Sequence, residues 1–452
     1  GGATKISLTG SSLQQSVDME SGKKMEDYKE ILDYISQIPV IDTHEHLVHS
    51  EDLLQGRNDV LQEFLIHYMS SDLLSSGLDP EVLAVARDSE RDLVRRWELI
   101  ERHWEFCRHT GYGRALDDSV REIYGIDGIR GSTIEELGKK FGEANRPGHL
   151  KEILKDLCNI ELAIIDPWTG RFECDRSLFR RVWQPQNYII PMPPEFDIVG
   201  WLEETYAVEI RSLKDWLEVF ELELDENISN GIVGLKSVLA YHRPIRFEEV
   251  SLDDAATAFR KALEERGRRS PDRNRDLLIP EIVQDYVMHH ILSAANERGI
   301  FIQFHTGLLE GNRGILSNSN PELLENLFSK YPRVKFDLFH IGYPYWGVTA
   351  ALAKTYPNVF IDMCWSHIIS PVSARNALSN FLDSVPFNKI SGFGGDYAIV
   401  DAIYGHLKIA RENIARVLAE KIGDRILTVS QAVRIAERLL HDNPKEILLN
   451  SL

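Results

Sequence analysis

Apolar residues follow two rhythms along this chain. Short continuous runs recur at Ile38–Asp42, Leu162–Ile165, Tyr188–Pro191, Gly231–Lys236, Ile300–His305, Val334–His340, Asn358–Cys364 and Lys389–Gly394. Between them the spacing widens to threes and fours, as in Trp201–Leu222, Pro280–Arg298, Glu322–Lys330 and Gly347–Thr355. Short unbroken apolar runs read as strands buried on both faces, and the wider spacing reads as one face of a helix. Eight such strands alternating with helices predict an α/β fold with a parallel sheet. In a chain of 452 residues, that number favours closure into a (β/α)8 (TIM) barrel over a doubly wound sheet.

Two stretches depart from the alternation. Residues 50–155 are helical in pattern, with Leu53, Leu54, Val60, Leu61, Phe64 and Leu65 early and Trp97–Phe106 later. This is too long for one strand-to-helix connection, so it predicts a helical insertion after strand 1 that covers the barrel. At the other end, Ile403, Leu407, Ala410, Ile414 and Val417 keep one helix face, and Thr428–Gln431 forms a capping box for a last helix ending near Asn443-Pro444. These are C-terminal covering helices. A short helix over Met25–Gln37 precedes the first strand, and Arg260–Asp276, dense in Arg, Glu and Asp, reads as a solvated excursion. The expected organisation is one barrel over 26–452, with a Ser-, Gly-, Lys- and Gln-rich segment 1–25 as a loose tail or a remnant of cloning.

Composition narrows the partners. A formal net charge of −19 argues against nucleic acid or an anionic membrane, leaving a small-molecule substrate as the expected partner. Helices that cover a barrel commonly also serve as dimer surfaces, so a homo-oligomer stays open. Cys107, Cys158, Cys174 and Cys364 are far apart and form no CxxC pair, which fits a reducing cytoplasm. No run reaches the roughly 18 apolar residues a membrane helix needs, so a soluble protein is expected.

The chemistry sits where strands end. Residues two apart on a strand point the same way, so His44 and His46 in Asp42-Thr-His44-Glu-His46 can aim at one centre. An isolated His-X-His more often caps a strand than holds a metal; repetition changes that reading. Phe301-Ile-Gln-Phe-His305 and Val334-Lys-Phe-Asp-Leu-Phe-His340 are apolar strands ending in His, Gly394-Gly-Asp396 ends another, and Ile232-Val-Gly-Leu-Lys236 ends in Lys. In a barrel such ends converge on the face where active sites lie. Five strands delivering ligand-type residues to that face are hard to explain as packing.

Lesser candidates surround them. Tyr241, His242 and Arg243 lie in a loop expected to overhang the site, with Arg243 either clamping a substrate carboxylate or serving as a structural ion-pair partner. Trp365 and His367 follow the seventh strand and are placed to line the pocket, although His367 could equally cap the helix at Ser370-Pro371. Asp166 and Trp168 end the second strand as pocket wall, and Arg114 could reach in from the insertion. His103, His109, His289 and His290 read as packing or surface.

With its order of His44-X-His46, single histidines on two later strands and Gly-Gly-Asp396 on the last, the chain resembles the amidohydrolase superfamily. The likeness is to its amidohydrolase 2 branch, with uronate isomerases as relatives. It covers residues 38–46 and 231–450, with only a general likeness over 50–160. The resemblance implies that His44, His46, His305 and Asp396 hold a divalent metal, Zn first and Mn as the alternative. His340 either completes a second metal site or polarises substrate. Lys236 is either carboxylated and bridges two ions, or charged and binding substrate; the branch favours one ion. The family pattern makes Asp396 the proton acceptor for metal-activated water, with His340 and Lys236 at the reacting carbonyl. The expected function is hydrolysis of an amide, ester or lactone bond in a small polar substrate. Decarboxylation and uronate-type isomerisation are the alternatives; the isomerase pattern carries an Arg-His-Asp-type signature near the last strands, and here Tyr397-Ala-Ile follows Asp396.

Overall fold

Eight parallel strands pair in chain order: β1 (Val40–Glu45), β2 (Ile160–Ile165), β3 (Phe179–Trp183), β4 (Ile232–Ser237), β5 (Phe301–Phe304), β6 (Phe336–Leu338), β7 (Val359–Asp362) and β8 (Ile390–Ser391). The computed structural model describes residues 25–166, 173–193, 196–268 and 277–449. The chain beyond β8 meets β1 through Thr43 N to Phe393 O (3.2 Å) and Asp396 N to His44 O (2.8 Å). These bonds close the sheet into a (β/α)8 barrel. Trp168, the tail through residue 24, and residues 269–276 of the predicted excursion lie outside the described residues; the excursion's first part belongs to the helix Leu252–Arg268.

One strand was misplaced by the apolar pattern. Tyr188–Pro191 is not a strand: residues Pro185–Tyr188 form a 3-10 turn, and β3 is the preceding Phe-Arg-Arg-Val-Trp. The two arginines break the apolar run that marks a buried strand. Arg181 is nevertheless buried and donates to Asn227 Oδ1 at 3.2 Å, so its charge is accommodated rather than solvated. Tyr188 supplies its hydrophobicity sideways, packing against Trp216 and Phe220 while its hydroxyl donates to Glu223 (2.7 Å). The single helix expected over Trp201–Leu222 is two, Ile198–Tyr206 and Leu213–Ser229. Ala207 terminates the first at φ 53°, and a Ser212–Asp215 capping box starts the second.

Inward side chains stack in layers. At the foot of the barrel Ile164, Val182 and Phe301 pack with Ile447 and Leu448, so the C-terminal segment plugs that end. Above them lies a polar layer containing Gln303, Asp337 and Asp362, and above that the strand-end histidines. Helices within 50–155 (among them Tyr68–Ser75, Leu93–Cys107 and Gly111–Tyr124) pack around buried Trp97 and Trp104. Gly111–Tyr124 lies against the long C-terminal helix Asp401–Gly423. All four cysteines are free. No helix among the described residues is long and apolar enough to cross a membrane.

Candidate metal centre

Four histidines and two carboxylates converge at the C-terminal ends of the strands. His46 Nε2 lies 3.2 Å and His44 Nε2 3.6 Å from Asp396 Oδ1. On the other carboxylate oxygen, His340 Nε2 lies 3.8 Å from Asp396 Oδ2 and 3.2 Å from His305 Nδ1. Asp166 Oδ2 is 3.8 Å from His44 Nε2.

Each ring presents its far nitrogen to an acceptor outside the centre. His46 Nδ1 faces Asp166 O (2.8 Å), His340 Nδ1 faces Cys364 O (2.9 Å) and His305 Nε2 faces Leu308 O (2.8 Å). A carbonyl oxygen only accepts, so in the neutral rings these nitrogens carry the hydrogen and the inward ones are bare. For His44 the partner is Gln303 Oε1 at 3.3 Å. Gln303 Nε2 is itself committed to Thr43 O (3.1 Å) and Asp337 Oδ2 (3.3 Å), so the amide oxygen must be the end facing His44. The centre is therefore ringed by inward-facing nitrogens, and the close contacts of His46 with Asp396 and of His340 with His305 call for a shared proton or a cation between them. His44 Nε2 and Asp166 Oδ1 are buried with no hydrogen-bond partner among the described residues.

That donor set fits a divalent cation. Imidazole and carboxylate ligands at 2.0–2.2 Å around a tetrahedral ion stand about 3.3–3.6 Å apart, close to the spacings around Asp396. The nitrogen and oxygen atoms of His44, His46 and Asp166 lie within 4.8 Å of one another, as do the ligand atoms of His340, Cys364 and Asp396. Outer partners that fix each ring's tautomer are the usual companions of metal-binding histidines.

Burial governs the protonation states. It holds His44 and His305 well below the ordinary imidazole value and His340 at about 4, with Lys236 adding its repulsion. Burial alone would also lower His46, but its contact with Asp396 outweighs that and raises it. Burial would raise Asp396, yet His46, His44 and His340 outweigh it and hold the carboxyl well below the usual range. Lys236 is depressed by burial and opposed by Asp396 and Asp166; its Nζ sits 3.4 Å from the centroid of the Phe339 ring.

The local backbone is strained where the site is made. His340 (φ 60°), Trp365 (φ 62°) and Asp396 (φ 58°) all occupy the left-handed region at or just beyond strand ends. Such conformations cost on the order of 1–3 kcal/mol each and persist where surroundings enforce them. Tyr68, from the insertion, donates its hydroxyl to Asp396 O.

The remaining predicted residues divide. Tyr241 packs its ring 4.8 Å from that of His305, and its hydroxyl accepts from Glu310 N at 3.0 Å. Trp365 stands edge-on to His340 at 4.9 Å. Arg243 is turned away: its guanidinium binds Asp285 (2.7 Å), Glu281, Gln284 and Arg246 O, making it a structural ion-pair partner. His367 is also directed elsewhere, with Nε2 on Gly392 O (3.0 Å) and Nδ1 on Asn413 (3.2 Å). Sequence reasoning missed Gln303, Cys364, and His67 and Tyr68, which stack on each other at 4.0 Å beside His46. Only Gln303 had a legible signal, being two residues before His305 on the same strand face.

Residues 250–449 match the family model described as amidohydrolase. The chain is 23% identical to a uronate isomerase of Cutibacterium acnes over 458 aligned residues, covering 93% of this chain and 94% of that one. It is 26% identical to Protein fluG of Emericella nidulans over 227 residues, which is 48% of this chain and spans only 25% of fluG. The uronate isomerase of Thermotoga maritima superposes with a TM-score of 0.77 at 16% identity, over 94% of this chain and 97% of that structure.

Proposed function

We propose that this amidohydrolase-superfamily enzyme, related to the uronate isomerases, is a metal-dependent hydrolase of a small substrate with an amide, ester or lactone carbonyl. The observation that carries the reading is the convergence of inward-facing histidine nitrogens on Asp396. A divalent cation, Zn or Mn, held by His44, His46 and Asp396 would polarise a carbonyl and supply activated water. Asp396 is kept anionic by its histidine neighbours, so it can take a proton from the attacking water and return it to the leaving group. The facing nitrogens of His305 and His340 hold either a proton or a cation between them. Burial keeps both rings uncharged, so a cation held there would be the group that meets the developing negative charge on the carbonyl oxygen. Lys236 adds a further cation from the β4 end. Trp365 and Tyr68, both buried and stacked at 4.6 Å, exclude bulk water from above.

Uronate-type isomerisation is the second reading, favoured by likeness to the Cutibacterium acnes isomerase over nearly the whole chain. Against it, a sugar acid's carboxylate calls for a cationic clamp. Arg243, the arginine best placed by sequence, is spent on Asp285. The two readings separate in water enriched in oxygen-18. A panel of lactones, N-acyl amides and esters is expected to give product with one solvent oxygen, abolished by chelation, and Asp396→Asn should lower kcat by about 10²–10⁴-fold. Conversion of a hexuronate to its ketose, with no solvent oxygen in product and no turnover of the hydrolytic panel, would replace the first reading by the second.

A further inference from the structure

We propose that Asp166 is a direct ligand of the metal, a second carboxylate on the His44–His46 side of the centre. The inference rests on the metal-enzyme reading above and changes its ligand set. The sequence pattern points to His305 as the companion of His44, His46 and Asp396. In the fold, however, His305 turns its inward nitrogen to His340, and the group that closes on His44 and His46 is Asp166.

Three observations carry this. First, β2 is bound to β1 up to its last residue, and Asp166 N then donates to Glu45 O (2.8 Å), fixing the aspartate against the His-X-His segment. Its carbonyl holds His46 Nδ1, so one residue orients the ring through its main chain and faces the centre with its side chain. Secondly, the carboxylate is 1% exposed; Oδ2 accepts from Gln184 Nε2 (2.5 Å) and lies 3.8 Å from His44 Nε2, whereas Oδ1 has no hydrogen-bond partner among the described residues. A buried carboxylate oxygen without a partner is costly, and a cation is the partner that the neighbouring His44 Nε2 also lacks among the described residues. Thirdly, Gln184, which hydrogen-bonds this carboxylate, is uncharged and engages the other oxygen, while His46 and Lys236 act on Asp166 by their charge. With Asp396, Asp166 brings two negative charges to a dication, and His305 and His340 are left facing the substrate side.

Metal binding itself tests the assignment. The parent protein, Asp166→Asn and Gln184→Leu would be stripped and titrated with Zn²⁺ against a chromophoric chelator, and their Co²⁺ forms compared by visible absorption. Asp166→Asn should lose more than about 100-fold in affinity, beyond the roughly 10–100-fold that loss of an outer partner costs, and shift the cobalt band. Gln184→Leu, which removes the hydrogen bond and keeps the carboxylate, should stay within that smaller range and keep the parent's band. Equal losses in the two variants, or a parent-like cobalt band in Asp166→Asn, would overturn the assignment alone. A parent protein that binds no metal would overturn the metal-enzyme reading with it. Should Asp166→Asn be unfolded by circular dichroism, Asp166→Glu replaces it: a displaced cobalt band is expected, and an unmoved one counts against ligation.

Discussion

A histidine's role here is set by what its far nitrogen touches. His44 and His367 are both completely buried, His44 near the end of β1 and His367 shortly after β7. His44 spends one nitrogen on Gln303 and aims the other at Asp396; His367 spends both on Gly392 O and Asn413. His367 is thus a structural imidazole held neutral, and burial pushes its pKa down to about 4. Because the folded value is depressed below the unfolded value near 6.5, its stabilising contribution is whole above pH 6.5 and is lost as pH falls toward 4. Urea unfolding at pH 7 and pH 5 should therefore show a loss of about 2 kcal/mol from this residue. That increment should be missing in His367→Gln; a variant with the parent's full pH dependence would refute the assignment.

At the level of elements, the site depends on how closely the segment after β8 approaches β1. Gly395 N donates to Asp42 Oδ1 (3.1 Å), and Tyr397 N donates to Glu45 Oε2 (2.7 Å), clamping Asp396 between them. A Cβ on Gly395 would come within 1.9 Å of Glu45 Oε1, an overlap relieved by displacing the buried Glu45 carboxylate and with it the bond from Tyr397 N, or by a shift of one segment. Gly395→Ala should cost about 1–3 kcal/mol by thermal unfolding, as overpacking does. It should also weaken metal binding through displaced Asp396. Unchanged metal affinity would mean that Asp396 is positioned by its own left-handed turn alone.

Over the whole molecule, the helices of 50–155 and the C-terminal helices grip the barrel mouth together. Gly405 faces Ala115 O so tightly that a Cβ would lie 1.9 Å from it, while its N–H donates to Ser119 Oγ (2.9 Å). Gly405→Ala should push Gly111–Tyr124 away from Asp401–Gly423, lowering stability by about 1–3 kcal/mol. Amide exchange should rise first along Gly111–Tyr124, and only then at the strands; uniform exchange across the barrel would contradict this coupling. The opposite end is closed by Ile447 and Leu448 against Phe301, Ile164 and Val182, which makes the two faces of the barrel unlike in purpose.

Strand-ending histidines and aspartate, the alternation of helix and strand, and the barrel itself were readable in the chain, because strand burial leaves continuous apolar runs and ligands follow them directly. β3 was not, since Arg180 and Arg181 interrupt its run and only the packing of Arg181 on Asn227 reveals a buried strand. Nor could sequence separate His305 from Asp166 as companion of His44 and His46. That choice depends on ring orientation, which Leu308 O and Asp166 O decide across the barrel rather than along the chain. The sequence by itself determined which residue types reach the mouth and on which strands, because periodicity is local. That His44 Nε2 and Asp166 Oδ1 are left without a hydrogen-bond partner among the described residues, and that Arg243 is spent on Asp285, were decided only when distant segments met.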